Sequence, residues 1–367
     1  MIIYIANFNL PNTSAYSHHV MKMCDAFKNY TNHLSLLIPF KEKTYKFKTI
    51  KKDYILKNNF QINNFLNIKM KGFFSRLIFF FSVIFFVLKN KKKLSLIITR
   101  VPSISLILSM LKIKNILEIH QVFYGISRIF FRLSFFLNNN PEVKFILINK
   151  KLKKNFSFIN NKNFISLDDA VDTNDFKKRI KNFKKKDCIY TGSLSKGKGC
   201  EIIFEIAKKL PKINFQIYGD KRLLDKDYIH ILKPKNLFLN GHKKYRYIPS
   251  ILSKAKILLM PYQKKVFGRS ENIDLAGYMS PLKLFDYLAS GTPIIASKLN
   301  VYSHILKHKQ NSILLEPNNI NIWAKTINDL YYNNTKLKKI SRLNKNISKK
   351  YTWKIRAKKI IKFYNEK

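Results

Sequence analysis

"YMSPLKLFDYLASGTPIIAS", Tyr278–Ser297, reads as a complete helix-to-strand unit. Ser280 is a good N-cap, Pro281 suits the first helical position and Gly291 is a good C-terminal stop. The run "PIIAS" (293–297) then reads as a strand. A helix start of this kind gathers unpaired backbone amides at the positive end of the helix dipole, so it favours an anion. Lys283 adds a full charge there. Asp286 lies about one turn further on, and helical side chains tilt toward the N-terminus. Its carboxylate can therefore reach a hydroxyl beside a bound phosphate.

A second stretch, "GSLSKGKG" (Gly192–Gly199), also follows a strand and opens a helix. Its spacing is that of a P-loop, G-x-x-x-x-G-K. Gly199, however, stands where a P-loop places the Ser or Thr that holds Mg²⁺. The strand "KILLMPY" ends in Pro261-Tyr262 instead of a Walker B acid. Mg-ATP hydrolysis is therefore a poor reading. A purely structural turn and an anion-binding loop both remain open for this stretch alone. Taken with Ser280, Lys283 and Asp286, it implies one site for phosphates and one for ribose, hence a nucleoside diphosphate. Lys198 and Lys283 would neutralise it without a metal.

Outward from these motifs, strand-like runs alternate with helical patterns. In the first half the strands are "IIYIA" (2–6), "LSLLI" (34–38), "LSLIIT" (94–99), "NILEI" (115–119) and "KFILI" (144–148). "SHHVMKMCDAFKN" (17–29) reads as a helix with Val20, Met23, Cys24 and Phe27 on one face. After the basic stretch "TNDFKKRIKNFKKKD" a second series begins at "CIYTG" (188–192). It continues through a helix at 201–210, strands at 214–219 and 255–262, a helix at 281–290 and the strand at 293–297. The fold class is α/β, with two facing Rossmann-like domains built on parallel sheets. The expected division is 1–165, 166–345 and a returning C-terminal helix in 346–367.

The chain has 367 residues, enough for two cores, and 46% of them are hydrophobic. It carries 70 Lys plus Arg against 21 Asp plus Glu, a formal net charge of +49. Such a surface meets phosphate in nucleic acid, anionic membrane or an acidic substrate, although codon bias alone can also enrich lysine. The aromatics sit in apolar runs and are not interleaved with the basic residues, so no nucleic-acid partner is expected. The three cysteines, Cys24, Cys188 and Cys200, are scattered without zinc spacing, and no metal is expected. They read as free thiols in a reducing compartment. Met1 leads into a strand-like run without the features of a secretory signal. "GFFSRLIFFFSVIFFVLKNKKK" (Gly72–Lys93) has an unbroken apolar part, 77–88, shorter than the ~20 residues of a spanning helix. A core helix, an interfacial helix and a span are the three readings. Lys89 to Lys93 and the stretch "RIFFRLSFF" (128–136) suit an anionic membrane surface.

The residues at 188–300 carry a resemblance. "YTGSLSKGKGCEIIFEIAKKLP", "GHKKYRYIPSILSKAKILLMPY" and "SPLKLFDYLASGTPIIAS" are similar to the donor domain of GT-B glycosyltransferases, of the retaining family 4 or group 1 type, in an SPLK variant of its acidic motif. "ISLDDAVDTNDF" (165–176) resembles the domain-junction segment, and "YTWKIRAKKIIKFY" (351–364) the last helix, which returns to the first domain. Two positions depart from the family pattern: Ser193 stands where Arg is common, and Tyr278 where the first Glu of the acidic motif is usual.

The resemblance implies an enzyme that moves a sugar from a nucleotide sugar to a glycan or lipid-linked acceptor, with retention and without a metal. The donor would be a UDP- or GDP-sugar, a co-substrate and not a cofactor. It would bind at Gly192, Ser193, Lys198, Tyr278, Ser280, Leu282, Lys283 and Asp286. His120, after "NILEI", matches a position that often faces the donor sugar and is the catalytic candidate. Ser14, His18 and Arg100 are acceptor-side candidates, because ligands of open α/β sheets bind at the carboxyl ends of strands. Synthesis of bacterial surface polysaccharide such as lipopolysaccharide follows as the expected setting. The expected place is the cytoplasm, on the inner face of the cytoplasmic membrane. A GT-B sugar-nucleotide epimerase, a non-catalytic scaffold and a basic nucleic-acid-binding protein are the competing readings.

Overall fold

The computed structural model describes residues 1–366 apart from 67, 70–71, 137–142, 158, 178–184, 225–233 and 269–272. Part of the basic connecting stretch, 178–184, thus lies outside the described residues. The chain divides into two compact units, Met1–Asp168 with Trp353–Lys367, and Asp169–Thr352.

The first unit holds a parallel sheet of seven strands: β1 (Ile2–Ile5), β2 (Leu34–Ile38), β3 (Gln61–Asn64), β4 (Leu96–Thr99), β5 (Asn115–Ile119), β6 (Val143–Leu147) and β7 (Phe164–Ser166). Their order is β3-β2-β1-β4-β5-β6-β7, so the direction of winding reverses between β1 and β4. Strands β1, β2, β4, β5 and β6 are buried along their whole length, as continuous apolar runs covered on both faces should be. Helix Ala15–Phe27 covers the sheet, and the final helix Trp353–Asn365 packs on it. The Lys144 ammonium anchors the end of that final helix, donating to the Phe363 and Glu366 carbonyls at 2.7 and 2.6 Å.

The return to the first unit comes later in the chain than residue 346. Helix Asn334–Ser348 stays in the second unit because Leu337 and Ile340 pack into its core. Only from Trp353 onward does the chain join the first.

The second unit has six parallel strands: β8 (Asp187–Thr191), β9 (Phe215–Tyr218), β10 (Leu237–Leu239), β11 (Ala255–Met260), β12 (Ile294–Ser297) and β13 (Ile313–Leu315). Their order is β10-β9-β8-β11-β12-β13, with the reversal between β8 and β11. One face of the sheet packs on helices Cys200–Lys209 and Ile320–Tyr332, the other on Ile248–Ser253 and Leu282–Ser290. The short strands β3, β7, β10 and β13 lack the long apolar runs that mark the inner ones.

Helix Phe73–Lys89 is split lengthwise. Ser75, Phe79, Val83 and Val87 face the core, whereas Phe73, Phe74, Phe81 and Phe85 are between 64% and 73% exposed. Neither a fully buried helix nor a span describes it: among the described residues no helix is long and apolar enough to cross a membrane.

Candidate active site

In the second unit both motifs come together at the carboxyl end of β8. Helix Leu282–Ser290 begins one residue later than expected. Its first turn closes on the Pro281 carbonyl, which accepts from the Leu284 amide at 2.9 Å, and Pro281 is the N-cap. Ser280 does not cap. Its hydroxyl oxygen instead accepts from the Asp169 amide at 2.9 Å, because the Asp169 segment packs against this turn. Gly291 ends the helix as expected. The amides of Leu282 and Lys283 have no protein acceptor among the described residues, so the helix presents them to a ligand.

Gly192 has φ +139°, and a Cβ there would lie 2.6 Å from the Lys283 ammonium nitrogen. Only a glycine lets that ammonium rest on the loop backbone. The Lys283 Nζ sits 3.7 Å above the Tyr190 ring and 5.0 Å from that of Tyr262, shielded from solvent and without a hydrogen-bond acceptor among the described residues. Lys198 Nζ approaches the other side, 5.1 Å from the Tyr262 ring. Burial pushes Lys198 down to about 8. Burial, and then the charge of Lys198, hold Lys283 well below the usual lysine range. Two ammonium groups that repel each other, with no ion pair to either among the described residues, make an anion-binding site.

The loop is held rigidly. Tyr190 donates to the Ser193 carbonyl at 2.6 Å, and the Ser193 and Ser195 hydroxyls lie 2.9 Å apart. Gly199 has φ +79° and passes so close to the next segment that a Cβ would meet the Pro261 carbonyl oxygen at 1.8 Å. This close approach, not magnesium chemistry, explains a glycine where a P-loop has a hydroxyl. Asp286 is buried, and its Oδ1 accepts from the Tyr245 hydroxyl at 2.9 Å. Tyr278 is buried in the preceding turn and offers a phenol where the family motif offers a carboxylate.

In the first unit the carboxyl ends of β1, β4 and β5 gather a second group. Glu118, near the end of β5, is fully buried. Its Oε1 accepts from His19 Nε2 at 3.0 Å and Arg356 Nη2 at 2.7 Å, with His120 Nε2 at 3.2 Å, and its Oε2 accepts from the Tyr4 hydroxyl. Burial pushes the Glu118 carboxyl up, but His19 and Arg356 outweigh it and hold it well below the carboxylate range. His120 keeps 17% of its side chain exposed, and burial followed by the charge of Arg100 holds its imidazole neutral, well below the usual range.

His19, Glu118 and His120 are close enough to ligate an ion. The guanidinium of Arg356 on the same carboxylate oxygen opposes a dication, so the group reads as a charge network. His18 is buried and stacked on Tyr54, with ring centroids 6.3 Å apart, and faces the interior. Ser14 caps helix Ala15–Phe27, its Oγ accepting from the Ser17 amide at 3.1 Å. Arg100 follows β4 and lies over the Tyr16 ring at 4.0 Å.

Residues 171–350 match the family model described as glycosyl transferases group 1. That stretch, a little under half of the chain, is similar to group 1 glycosyl transferases. A curated relative, the uncharacterised glycosyltransferase MJ1178 of Methanocaldococcus jannaschii, is 24% identical over 180 residues, 48% of this chain. The match spans about half the length of that relative, 47%. Among solved structures, HepE of Anabaena in complex with UDP aligns with a TM-score of 0.71 at 13% identity, covering 99% of each chain. WaaG, a glycosyltransferase involved in lipopolysaccharide biosynthesis, aligns with a TM-score of 0.67 at 9% identity over 100% of both chains. At such identities these likenesses show the fold: the two parallel α/β units are those of GT-B proteins.

Within the matched stretch, the sequence reading missed Tyr245, Tyr190 and Tyr262, which hold Asp286 and cover the lysines. Aromatic residues in apolar runs carry no mark of such a role. Outside it, Glu118 and Arg356 were missed. Glu118 left one readable signal, a lone acid inside the apolar strand "NILEI".

Proposed function

We propose that the protein transfers a sugar from a nucleoside diphosphate sugar to a hydroxyl of a glycan or lipid-linked acceptor. The observation that carries this reading is the pair Lys198 and Lys283, set without an ion-pair partner among the described residues beside the open amides of Leu282 and Lys283. Such an arrangement stabilises the charge that develops on a departing diphosphate. The lysines supply that charge themselves, which favours transfer without a metal at the phosphates. His120, neutral and partly exposed, is the group we assign to the reacting sugar. Retention of configuration rests on the family likeness, and a donor with UDP on the HepE complex. A place in surface polysaccharide synthesis rests on the likeness to WaaG.

A thermal-shift screen with UDP-, GDP-, ADP- and CMP-sugars in EDTA tests it, since a ligand of the native state raises apparent stability. A UDP- or GDP-sugar should raise the unfolding temperature. Shifts from none of them, or only after Mg²⁺ or Mn²⁺ is added, would contradict the reading.

We propose further that the first unit docks on an anionic membrane from the cytoplasmic side. Helix Phe73–Lys89 exposes Phe73, Phe74, Phe81 and Phe85, and helix Ile126–Phe136 exposes Ile126, Ile129 and Leu133. Helix Pro102–Met110 packs against both. Arg76, Lys89, Lys91, Lys92, Lys93, Arg128 and Arg132 are exposed along the same elements. Each basic residue near such a surface contributes about 1 kcal/mol, screened within a Debye length. In liposome flotation, binding should require anionic lipid and fall with salt. Joint replacement of Lys91, Lys92 and Lys93 by Gln should weaken it while leaving nucleotide binding intact. Flotation with neutral lipid only, or release by detergent only, would rule out this mode.

A further inference from the structure

We propose that the carboxyl edge of the first unit's sheet, where winding reverses between β1 and β4, binds an anionic group on the acceptor, with Arg100 as its counter-charge. This rests on the reading of the protein as a sugar transferase.

Arg100 follows β4 directly. Its guanidinium stacks on Tyr16, yet among the described residues it makes no hydrogen bond or ion pair, and Nη1 is closed off from solvent. A buried donor left unmade is costly and uncommon in a native fold, so a partner is missing. Among the described residues no nearby acid supplies one. Glu118 lies close enough to share an electrostatic environment with Arg100, but its two oxygens already serve Tyr4, His19 and Arg356.

The surroundings have the same sign. Tyr16 stands in the first turn of helix Ala15–Phe27, and that turn holds no acid, so the positive end of the dipole adds to the arginine. His120, the residue assigned to the reacting sugar, is near enough for the charge of Arg100 to act on it. In open α/β sheets the reversal point is where ligands bind.

The planar fork of a guanidinium selects carboxylate or phosphate, two oxygens at a time. The donor diphosphate already has its own pair of lysines in the second unit, which leaves the acceptor as the source of this anion. Either a sugar phosphate or a uronic acid would fit.

The test uses the full chain saturated with UDP, so that the second-unit anion site is filled. Glucose 1-phosphate and glucuronate are titrated by calorimetry into wild type, Arg100→Gln and Arg100→Lys. At least one probe should bind the wild type. Arg100→Gln should weaken it tenfold or more, and Arg100→Lys should lose less because the charge remains while the fork is lost. UDP affinity should be the same in all three. The tighter probe identifies the acceptor's charged group. Equal affinity in wild type and Arg100→Gln, or no binding of either probe, would overturn the proposal. Failure of UDP to bind would strike the donor reading alone, and the Arg100 comparison would then be read in a Lys283→Ala background.

Discussion

Arg356→Met will destabilise the first unit by about 3–5 kcal/mol, the cost of leaving a buried carboxylate without its cation. Both partners are nearly inaccessible, 3% for the Arg356 side chain and 0% for Glu118. The guanidinium also donates from Nε to the Asp168 carbonyl at 3.0 Å and from Nη2 to the Leu167 carbonyl at 3.3 Å. Methionine fills similar space and makes none of these bonds. The two tryptophans fall one to each unit, Trp323 in the second and Trp353 in the first. In a Trp323→Phe background, denaturant unfolding followed by Trp353 fluorescence therefore reports on the first unit alone.

The effect has a pH signature. The carboxyl of Glu118 is held below its unfolded value, so its stabilisation is present above about pH 4.3 and is lost as pH falls through the lower folded value. The gap between wild type and Arg356→Met should narrow on acidification through that range. A loss under about 1 kcal/mol at neutral pH, or a gap independent of pH, would show that the network is not what holds the returning helix.

Lys283→Ala will weaken nucleoside diphosphate binding by roughly 1.5–3 kcal/mol, a factor of about 10 to 150, and Lys198→Ala will follow it. Neither should unfold the protein. The Lys283 ammonium is shielded and has no hydrogen-bond partner among the described residues, so its removal should leave the nucleotide-free protein as stable as before or more so. Binding should also take up protons. The free site holds Lys198 at about 8 and Lys283 well below the usual lysine range, whereas a bound diphosphate restores both toward the ordinary lysine value. Affinity should therefore fall above about pH 8, by up to about tenfold per pH unit for each lysine still titrating. The facing Tyr190, Tyr262, Tyr287 and Cys200 are all pushed up by burial and stay neutral in that window. Calorimetry at pH 8.5 in buffers of different ionisation enthalpy reads the uptake directly. Unchanged affinity in both variants, or heats independent of the buffer, would remove the diphosphate from this site.

Much of this site was legible in the residues because its parts are local. A glycine-rich turn after a strand and a Pro-started, Gly-stopped helix each encode an anion-facing amide cluster within a few positions. The cap itself was misplaced by one residue, since Ser280 and Pro281 both suit a helix start and only the packing of Asp169 against Ser280 chose between them. The role of helix Phe73–Lys89 was open for the same kind of reason. Its residues are apolar nearly all round, so periodicity could not say which face the sheet would cover.

The sequence by itself determined the alternating parallel architecture, because burial on both faces of an inner strand leaves a continuous apolar run wherever the strand lies. It also determined the positive character of the loops at Gly192–Gly199 and Ser280–Lys283. Only the tertiary structure decided that the Lys283 ammonium rests on Gly192 and faces Lys198, and that Glu118 joins His19, His120 and Arg356. Glu118 is 99 positions from His19 and 238 from Arg356, and Lys283 meets Gly192 from a separate loop. Their meeting depends on strand order and on the returning helix, neither of which leaves a local pattern in the chain.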